Sequence, residues 1–153
     1  AVDVGDEPIQ YFKKFKNIHV AVDANRVAGI THLISKKNPD IILLDDAFQH
    51  LKVKGSYYIL LTKYNDLFVD DFLLPSGNLR ESKQGAKRAD VIVVTKCPFN
   101  ISKNKQDLIK QKLSKFDKKI FFTGICYADT VLGALTIPTF ELVNYEVLLI
   151  TGI

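Results

Sequence analysis

The chain has 153 residues, of which 47% are hydrophobic and 25% charged, and its formal net charge is +4. These values are typical of a globular domain with a core, and they exclude an extensively disordered polypeptide. The sequence has no basic run interleaved with aromatic residues, so we expect no nucleic-acid partner. No signal peptide is recognisable in these residues, and no apolar run approaches the roughly 20 residues that a membrane-spanning helix requires.

The two cysteines and the two chain ends support further expectations. Cys97 and Cys126 form neither a disulfide framework nor a metal-binding spacing. Each lies beside an apolar run, so we expect two buried free thiols, which are typical of a reducing compartment. The chain begins at Ala1 rather than at a methionine and ends at Ile153, just after a predicted strand. We therefore expect residues 1–153 to be a single partial domain of a longer protein.

The first 40 residues predict two helices with a strand between them. A polar turn at 5–8, with the sequence GDEP, precedes a short helix. The run Ile18–Val22 predicts a strand that ends at Asp23. We expect Asp23 to cap a second helix whose aliphatic residues recur on one face. That helix is expected to end at Asn38, because Pro39 follows.

The next stretch, residues 41–50, has the sequence IILLDDAFQH. Its four consecutive aliphatic residues, Ile41–Leu44, predict a strand buried on both faces, as in a parallel sheet between helices. Asp45 and Asp46 follow at the carboxyl end, the edge of an open α/β sheet where ligands bind. A carboxylate in that position holds the Mg²⁺ that bridges nucleotide phosphates. Many strands also end in an Asp that caps the next helix, so this alternative stays open.

The remaining elements continue the alternation of strands and helices. Further strands are predicted at 57–61, 91–94, 120–122 and 147–150. The segment 73–81 is predicted to be an ordered loop, and 102–116 a lysine-rich amphipathic helix with Leu108 and Leu113 on its apolar side. Residues 124–145 show no clear periodicity. The alternation indicates parallel βαβ units, so the expected fold is α/β, a parallel sheet with flanking helices.

Three polar clusters lie at predicted turns or strand ends, at 5–8, 45–50 and 74–81. Parallel strands bring such ends to one edge of a sheet, where carboxylates, a histidine and an arginine are expected to converge. Phosphoryl transfer needs a metal-holding carboxylate, a base for the attacking hydroxyl, and cations for anionic groups. The clusters therefore indicate a candidate phosphoryl-transfer site.

The combination of these clusters carries a family resemblance. A GDEP turn, a DD-x-FQH strand end and an LP-x-G-x-LRE loop, in this order, resemble the tetraacyldisaccharide 4'-kinases, which phosphorylate a lipid A precursor in Gram-negative bacteria. The resemblance covers most of residues 3–98 and returns at 148–153. It implies a P-loop NTPase-like three-layer α/β/α fold, the cofactors ATP and Mg²⁺, and a lipid disaccharide acceptor. It also implies a peripheral protein at the membrane surface, on the cytoplasmic face of the inner membrane. No obligate protein partner is evident.

The resemblance also implies roles for individual residues. Asp6 matches the acid of the GDEP turn, which is expected to be the general base on the acceptor hydroxyl. Asp45 and Asp46 match paired acids expected at the metal and the phosphates. The residues that match the substrate side are Arg26, Gln49, His50, Arg80 and Glu81.

The pattern departs from the family's at several points. Ala47, Ser76 and Asn78 stand where Gly, Ala and Pro are usual. The chain contains no G-x-x-x-x-G-K-[ST] phosphate-binding loop, which in the family precedes the GDEP turn, so this chain is expected to hold half a site.

Several alternatives stay open. The protein could act on a soluble acceptor or be a non-catalytic α/β binding module. Asp6 could be a plain turn residue and His50 a surface histidine. Arg80 and Glu81 could form an ion pair that only locks their loop.

Overall fold

A three-stranded parallel sheet forms the centre of the protein. The computed structural model describes residues 5–132 and 136–146. The sheet consists of β1 (Ile59–Lys63), β2 (Val91–Thr95) and β3 (Lys119–Phe122), in the order β1-β2-β3. Ile59 pairs with Val91 in register, and Val91 with Lys119. The predicted parallel α/β sheet is therefore confirmed for these three strands.

The hydrophobic core lies between the sheet and helix α3 (Lys103–Leu113). On the central strand, Ile92 and Val94 are completely buried, as is Leu113 of the helix. Full burial of each such side chain stabilises the fold by about 1.5–3 kcal/mol. The buried face of α3 continues into the 3-10 helix Ser114–Phe116, whereas Leu108 is 56% exposed. The predicted helix is confirmed, but the placement of Leu108 on its apolar side is wrong.

Two helices precede the sheet, α1 (Asp6–Lys14) and α2 (Arg26–Lys37). Asn25, not Asp23, caps α2: its side-chain oxygen accepts from the N–H groups of Val27 and Ala28, at 3.1 and 3.2 Å. Asn25 rather than Asp23 is the cap because it directly precedes the first helical turn, where those N–H groups have no partner within the helix. The helix ends at Asn38, as the following proline predicts, and Asn38 itself has the left-handed conformation with φ of 43°, which Asn tolerates.

The predicted strands at 18–22 and 41–44 are not formed. Both segments have irregular secondary structure, and Ile41 and Leu43 are 76% and 89% exposed. A strand is stable when a neighbouring strand accepts its backbone hydrogen bonds, and within the described chain neither segment has such a neighbour. The prediction for 41–44 as a buried strand is therefore wrong in this structure, although the turn at Asp45 and Asp46 that should follow it is present.

The segment after β3 holds a small hairpin-like pair, β4 (Thr130–Leu132) and β5 (Thr136–Pro138), which run antiparallel. A 3-10 helix, Thr139–Asn144, follows. The predicted strand at 147–150 lies outside the described residues. No helix within the described ranges is long and apolar enough to cross a membrane.

The two cysteines lie in different environments. Cys97 is buried as predicted, its thiol lies 3.3 Å from the carbonyl oxygen of Val94, and burial raises its pKa. Cys126 is exposed, which contradicts the prediction. It lies in the irregular segment beyond β3, where no sheet face covers it.

Candidate functional site

The acidic turn at Asp45 and Asp46 is exposed and is stabilised by a hydrogen bond between these two residues. The N–H of Asp46 donates to the Oδ1 of Asp45 at 2.9 Å, and Asp46 has a left-handed backbone with φ of 45°. Asp is one of the few side chains that enter this region at modest cost. The turn therefore leaves carboxylate oxygens directed to solvent, available to a ligand.

An ion pair joins this turn to the loop that contains Arg80. Nη1 of Arg80 lies 3.2 Å from Oδ2 of Asp46. The pair brings two of the three predicted clusters to one surface. The sequence left open an ion pair between Arg80 and Glu81, but in the structure each of them pairs with a different residue.

Glu81 pairs with Arg88, a residue that the sequence did not single out. Nη1 and Nη2 of Arg88 donate to the two carboxylate oxygens of Glu81 at 2.9 and 2.8 Å. The hydrogen bond and charge of Glu81 raise the pKa of Arg88. Because both oxygens of Glu81 are engaged in this pair, its role in substrate contact stays a prediction.

The loop before Arg80 is organised by Asp71. Its Oδ1 accepts from the N–H of Phe72 at 2.7 Å, and both of its oxygens accept from the N–H of Asn78 at 3.2 Å. The amide of Phe72, followed by that of Asn78, holds the pKa of Asp71 below its usual value. Position 77 of this turn favours glycine, because the Cβ of any other residue would lie less than 3.0 Å from Asp71 and the Phe72 backbone.

Gln49 lines a small cavity between the two joined loops. The cavity has a volume of about 70 Å³ and is lined also by Phe48, Arg80 and Glu81. Nucleotide-sized ligands occupy clefts of roughly 300–1,000 Å³, so this space admits a few water molecules or one small group. The side chain of His50 is exposed, and its backbone N–H donates to the carbonyl oxygen of Ala47 at 2.9 Å.

Asp6 and Arg26 lie outside the joined loops. Asp6 is the exposed first residue of α1, preceded by Gly5 with φ of 76°. Arg26 donates to the backbone carbonyl of Asp23. Within the described ranges, neither side chain forms a hydrogen bond or ion pair with the residues around Asp46 and Arg80.

Electrostatics nevertheless link the acidic turn to α1. The charge of Asp45, followed by that of Glu7, raises the pKa of Tyr11. The hydroxyl of Tyr11 also donates to Oε1 of Glu7 at 3.4 Å. Tyr11, the residue affected by the charge of Asp45, belongs to the helix that begins with Asp6.

The donor set of the acidic turn fits Mg²⁺. Protein sites commonly hold this ion through one or two carboxylates, with water and substrate phosphates as the other ligands. Asp45 and Asp46 supply such exposed oxygens. Over 5–132 and 136–146, no group of three or more His, Cys, Asp or Glu side chains is gathered to hold a metal.

The parallel sheet and the joined acidic and basic loops define an α/β protein with an anion- and metal-compatible surface. Comparison with known proteins gives the family: the sequence profile described as tetraacyldisaccharide-1-P 4'-kinase matches residues 1–153, and the chain belongs to this family.

Curated relatives carry the same description. The chain is 59% identical over 135 residues to the tetraacyldisaccharide 4'-kinase of Flavobacterium psychrophilum, covering 86% of this chain and 39% of the relative. It is 52% identical over 153 residues to that of Flavobacterium johnsoniae, covering 98% and 45%. It is 41% identical over 169 aligned residues to that of Bacteroides thetaiotaomicron, covering 100% and 44%. The chain thus spans less than half the length of these relatives. No solved structure matches it significantly.

Proposed function

We propose that the full-length protein is an ATP-dependent kinase that phosphorylates the 4'-hydroxyl of a tetraacyldisaccharide 1-phosphate, a lipid A precursor. The observation that carries the proposal is membership of the family over all 153 residues, together with relatives of that name. The contact between Asp46 and Arg80 supports it, because it brings two clusters of the family pattern together. The complete domain has a P-loop NTPase-like α/β/α fold, and its phosphate-binding loop comes from outside this chain.

The acidic turn is the metal and phosphate side of the proposed site. Asp45 and Asp46 would hold Mg²⁺ through their exposed carboxylate oxygens, and the ion would supply positive charge to the ATP phosphates. Asp6, at the start of α1, accepts the proton of the attacking 4'-hydroxyl, a role that requires a carboxylate ionised at neutral pH.

The basic and polar residues form the substrate side. Arg80 exchanges its ion pair with Asp46 for an anionic group of the substrate, since a guanidinium binds phosphate in two-point geometry. The remaining residues proposed for this side are Arg26, Gln49, His50 and Glu81.

A lipid acceptor places the enzyme at the cytoplasmic face of the inner membrane as a peripheral protein. The lysine-rich segment 103–119 gives the chain an exposed cationic surface compatible with anionic headgroups. The proposal includes neither a nucleic-acid partner nor an obligate protein partner.

The test is a phosphoryl-transfer assay of the full-length protein with labelled ATP. Detergent-dispersed tetraacyldisaccharide 1-phosphate and a soluble, deacylated disaccharide phosphate are compared as acceptors. We expect transfer to the acylated acceptor with strong dependence on Mg²⁺. Preference for the soluble acceptor would overturn the substrate assignment, and absence of transfer to either would indicate a binding module.

A further inference from the structure

Arg88 contacts both loops of the candidate site. Besides its two hydrogen bonds to Glu81, its Nη2 donates to the backbone carbonyl of Phe48 at 3.0 Å. Glu81 directly follows Arg80, and Phe48 lies two residues after Asp46. A single guanidinium therefore spans from the arginine loop to the acidic turn.

Aromatic packing strengthens the second of these contacts. The guanidinium of Arg88 lies over the ring of Phe48, 4.7 Å from its centroid. Phe48 in turn packs edge-on against Tyr58, at 6.1 Å between centroids, and the N–H of Tyr58 donates to Asp90 at 2.7 Å. A cation over an aromatic ring adds about 0.5–2 kcal/mol, depending on how far water is excluded. The acidic turn is thereby tied to the segment that leads into β2.

Burial distinguishes this connection from the contact between Asp46 and Arg80. The side chains of Arg88 and Glu81 are 32% and 30% exposed, against 65% and 74% for Arg80 and Asp46. Water screens the more buried pair less, so it holds its geometry more firmly. Nε of Arg88 is buried and has no hydrogen-bond partner among the described residues, a cost that the other contacts of the side chain offset.

The backbone between the two partners is fitted to the pair. Arg88 ends the 3-10 helix Lys83–Arg88, and the completely buried Ala89 follows it. Gly85 lies beneath the pair: a Cβ there would approach both the Glu81 carboxylate and Nη1 of Arg88 to less than 3.0 Å. The backbone of Arg88 is thus anchored beside the core, while its guanidinium holds two surface loops.

We propose that Arg88 is a positioning residue that keeps the acidic turn and the arginine loop aligned, so that Asp46 and Arg80 face one bound ligand. Arg88 acts through Glu81 and the Phe48 carbonyl and does not itself contact substrate. Its effect on turnover rests on the proposed kinase function, whereas its effect on loop order does not.

The first test measures loop order by hydrogen exchange in the full-length protein. Arg88→Met removes the guanidinium and keeps much of the apolar stem, and Lys87→Met is the matched control, an exposed cation one residue earlier in the same helix. We expect several-fold faster exchange of the backbone amides of 45–54 in Arg88→Met, with exchange in β2 unchanged and with Lys87→Met like the wild type. Equal exchange of 45–54 in the two variants would overturn the proposal.

A second variant covers the case in which Arg88→Met does not fold. Arg88→Lys keeps the charge but loses the two-point geometry, and the same amides of 45–54 are expected to exchange faster. Wild-type exchange in a folded Arg88→Lys protein would show that the fork geometry is not needed and would overturn the proposal.

The second test measures catalysis by the same variants. If the proposed kinase function holds, Arg88→Met is expected to lower kcat by about 10–100-fold, since misplacement of catalytic groups by about 1 Å has effects of this order. A normal kcat with a lowered Tm would reduce Arg88 to a structural residue and overturn the proposal. An inactive wild type would instead contradict the kinase function, and the exchange experiment would still decide the role of Arg88.

Discussion

The carboxylate of Asp46 lies 3.2 Å from Nη1 of Arg80, although 34 positions separate the two residues in the chain. Both side chains are largely exposed. An exposed pair of this kind contributes about 0–1 kcal/mol to stability. The contact therefore tells more about location than about folding: it places an acidic and a basic cluster on one surface, where both remain accessible to a ligand.

The first prediction concerns Arg80. In the full-length enzyme, Arg80→Gln is expected to lower kcat/KM by about 10–100-fold, because a hydrogen bond to a charged group contributes about 1.5–3 kcal/mol. Tm should stay nearly constant, because the ion pair with Asp46 is exposed. Steady-state kinetics and thermal unfolding of the same preparation check both halves. A lowered Tm with unchanged kcat/KM would assign Arg80 to structure rather than to substrate.

The second prediction concerns the core beneath the sheet. Leu113→Ala is expected to destabilise the protein by about 2–5 kcal/mol, since Leu113 is completely buried and its loss leaves a cavity. Leu108→Ala, in the same helix but 56% exposed, should cost less than about 0.5 kcal/mol. Urea denaturation of the two variants makes the comparison. Equal losses would contradict the assignment of the buried face of α3.

The third prediction concerns Gly77 in the loop before Arg80. Gly77→Ala is expected to destabilise the loop by about 1–3 kcal/mol, because the added Cβ would overlap Asp71 and the Phe72 backbone. Gly55→Ala is the control, since a Cβ there meets its nearest atom, in the Tyr58 ring, at an ordinary 3.6 Å. Denaturant unfolding and limited proteolysis of the 71–80 region measure the effect. A Gly77→Ala protein as stable and protease-resistant as Gly55→Ala would refute the tight packing of the turn.

The fourth prediction concerns acid sensitivity. The amides of Phe72 and Asn78 hold the pKa of Asp71 below its ordinary value of 3.8, so the carboxylate stabilises the folded state above that pH. This contribution is lost as the pH falls below 3.8 through the folded-state pKa. The stability difference between wild type and Asp71→Asn should therefore shrink with falling pH over that range. A difference that stays constant down to about pH 2 would show that Asp71 titrates normally.

The strands of the central sheet that the sequence predicted correctly are those whose partner strands lie within the described chain. The run around Ile92 forms a strand because β1 and β3 flank it, and α3 covers one face of the sheet. The run Ile41–Leu44 is likewise an unbroken aliphatic run, yet it is irregular and exposed. An aliphatic run shows that a segment is able to form a strand. Whether the strand forms depends on pairing with a neighbouring strand.

The candidate site was predicted in part for a similar reason. Motif order identified Asp46 and Arg80 as members of separate clusters, and their contact follows from the fold. Arg88 carries no motif signal, because its importance comes from contacts 7 and 40 positions away in sequence, with Glu81 and Phe48. The feature of the sequence that draws attention to Arg88 is its position just before the predicted strand at 91–94.

The most direct measurement is turnover of the full-length protein with Asp6→Asn, assayed with ATP and the acylated disaccharide phosphate. If Asp6 takes the proton from the acceptor hydroxyl, kcat should fall by about 10²–10⁴-fold while the Kd for ATP stays near that of the wild type. An Asp6→Asn enzyme that transfers phosphate at the wild-type rate would contradict the proposed mechanism.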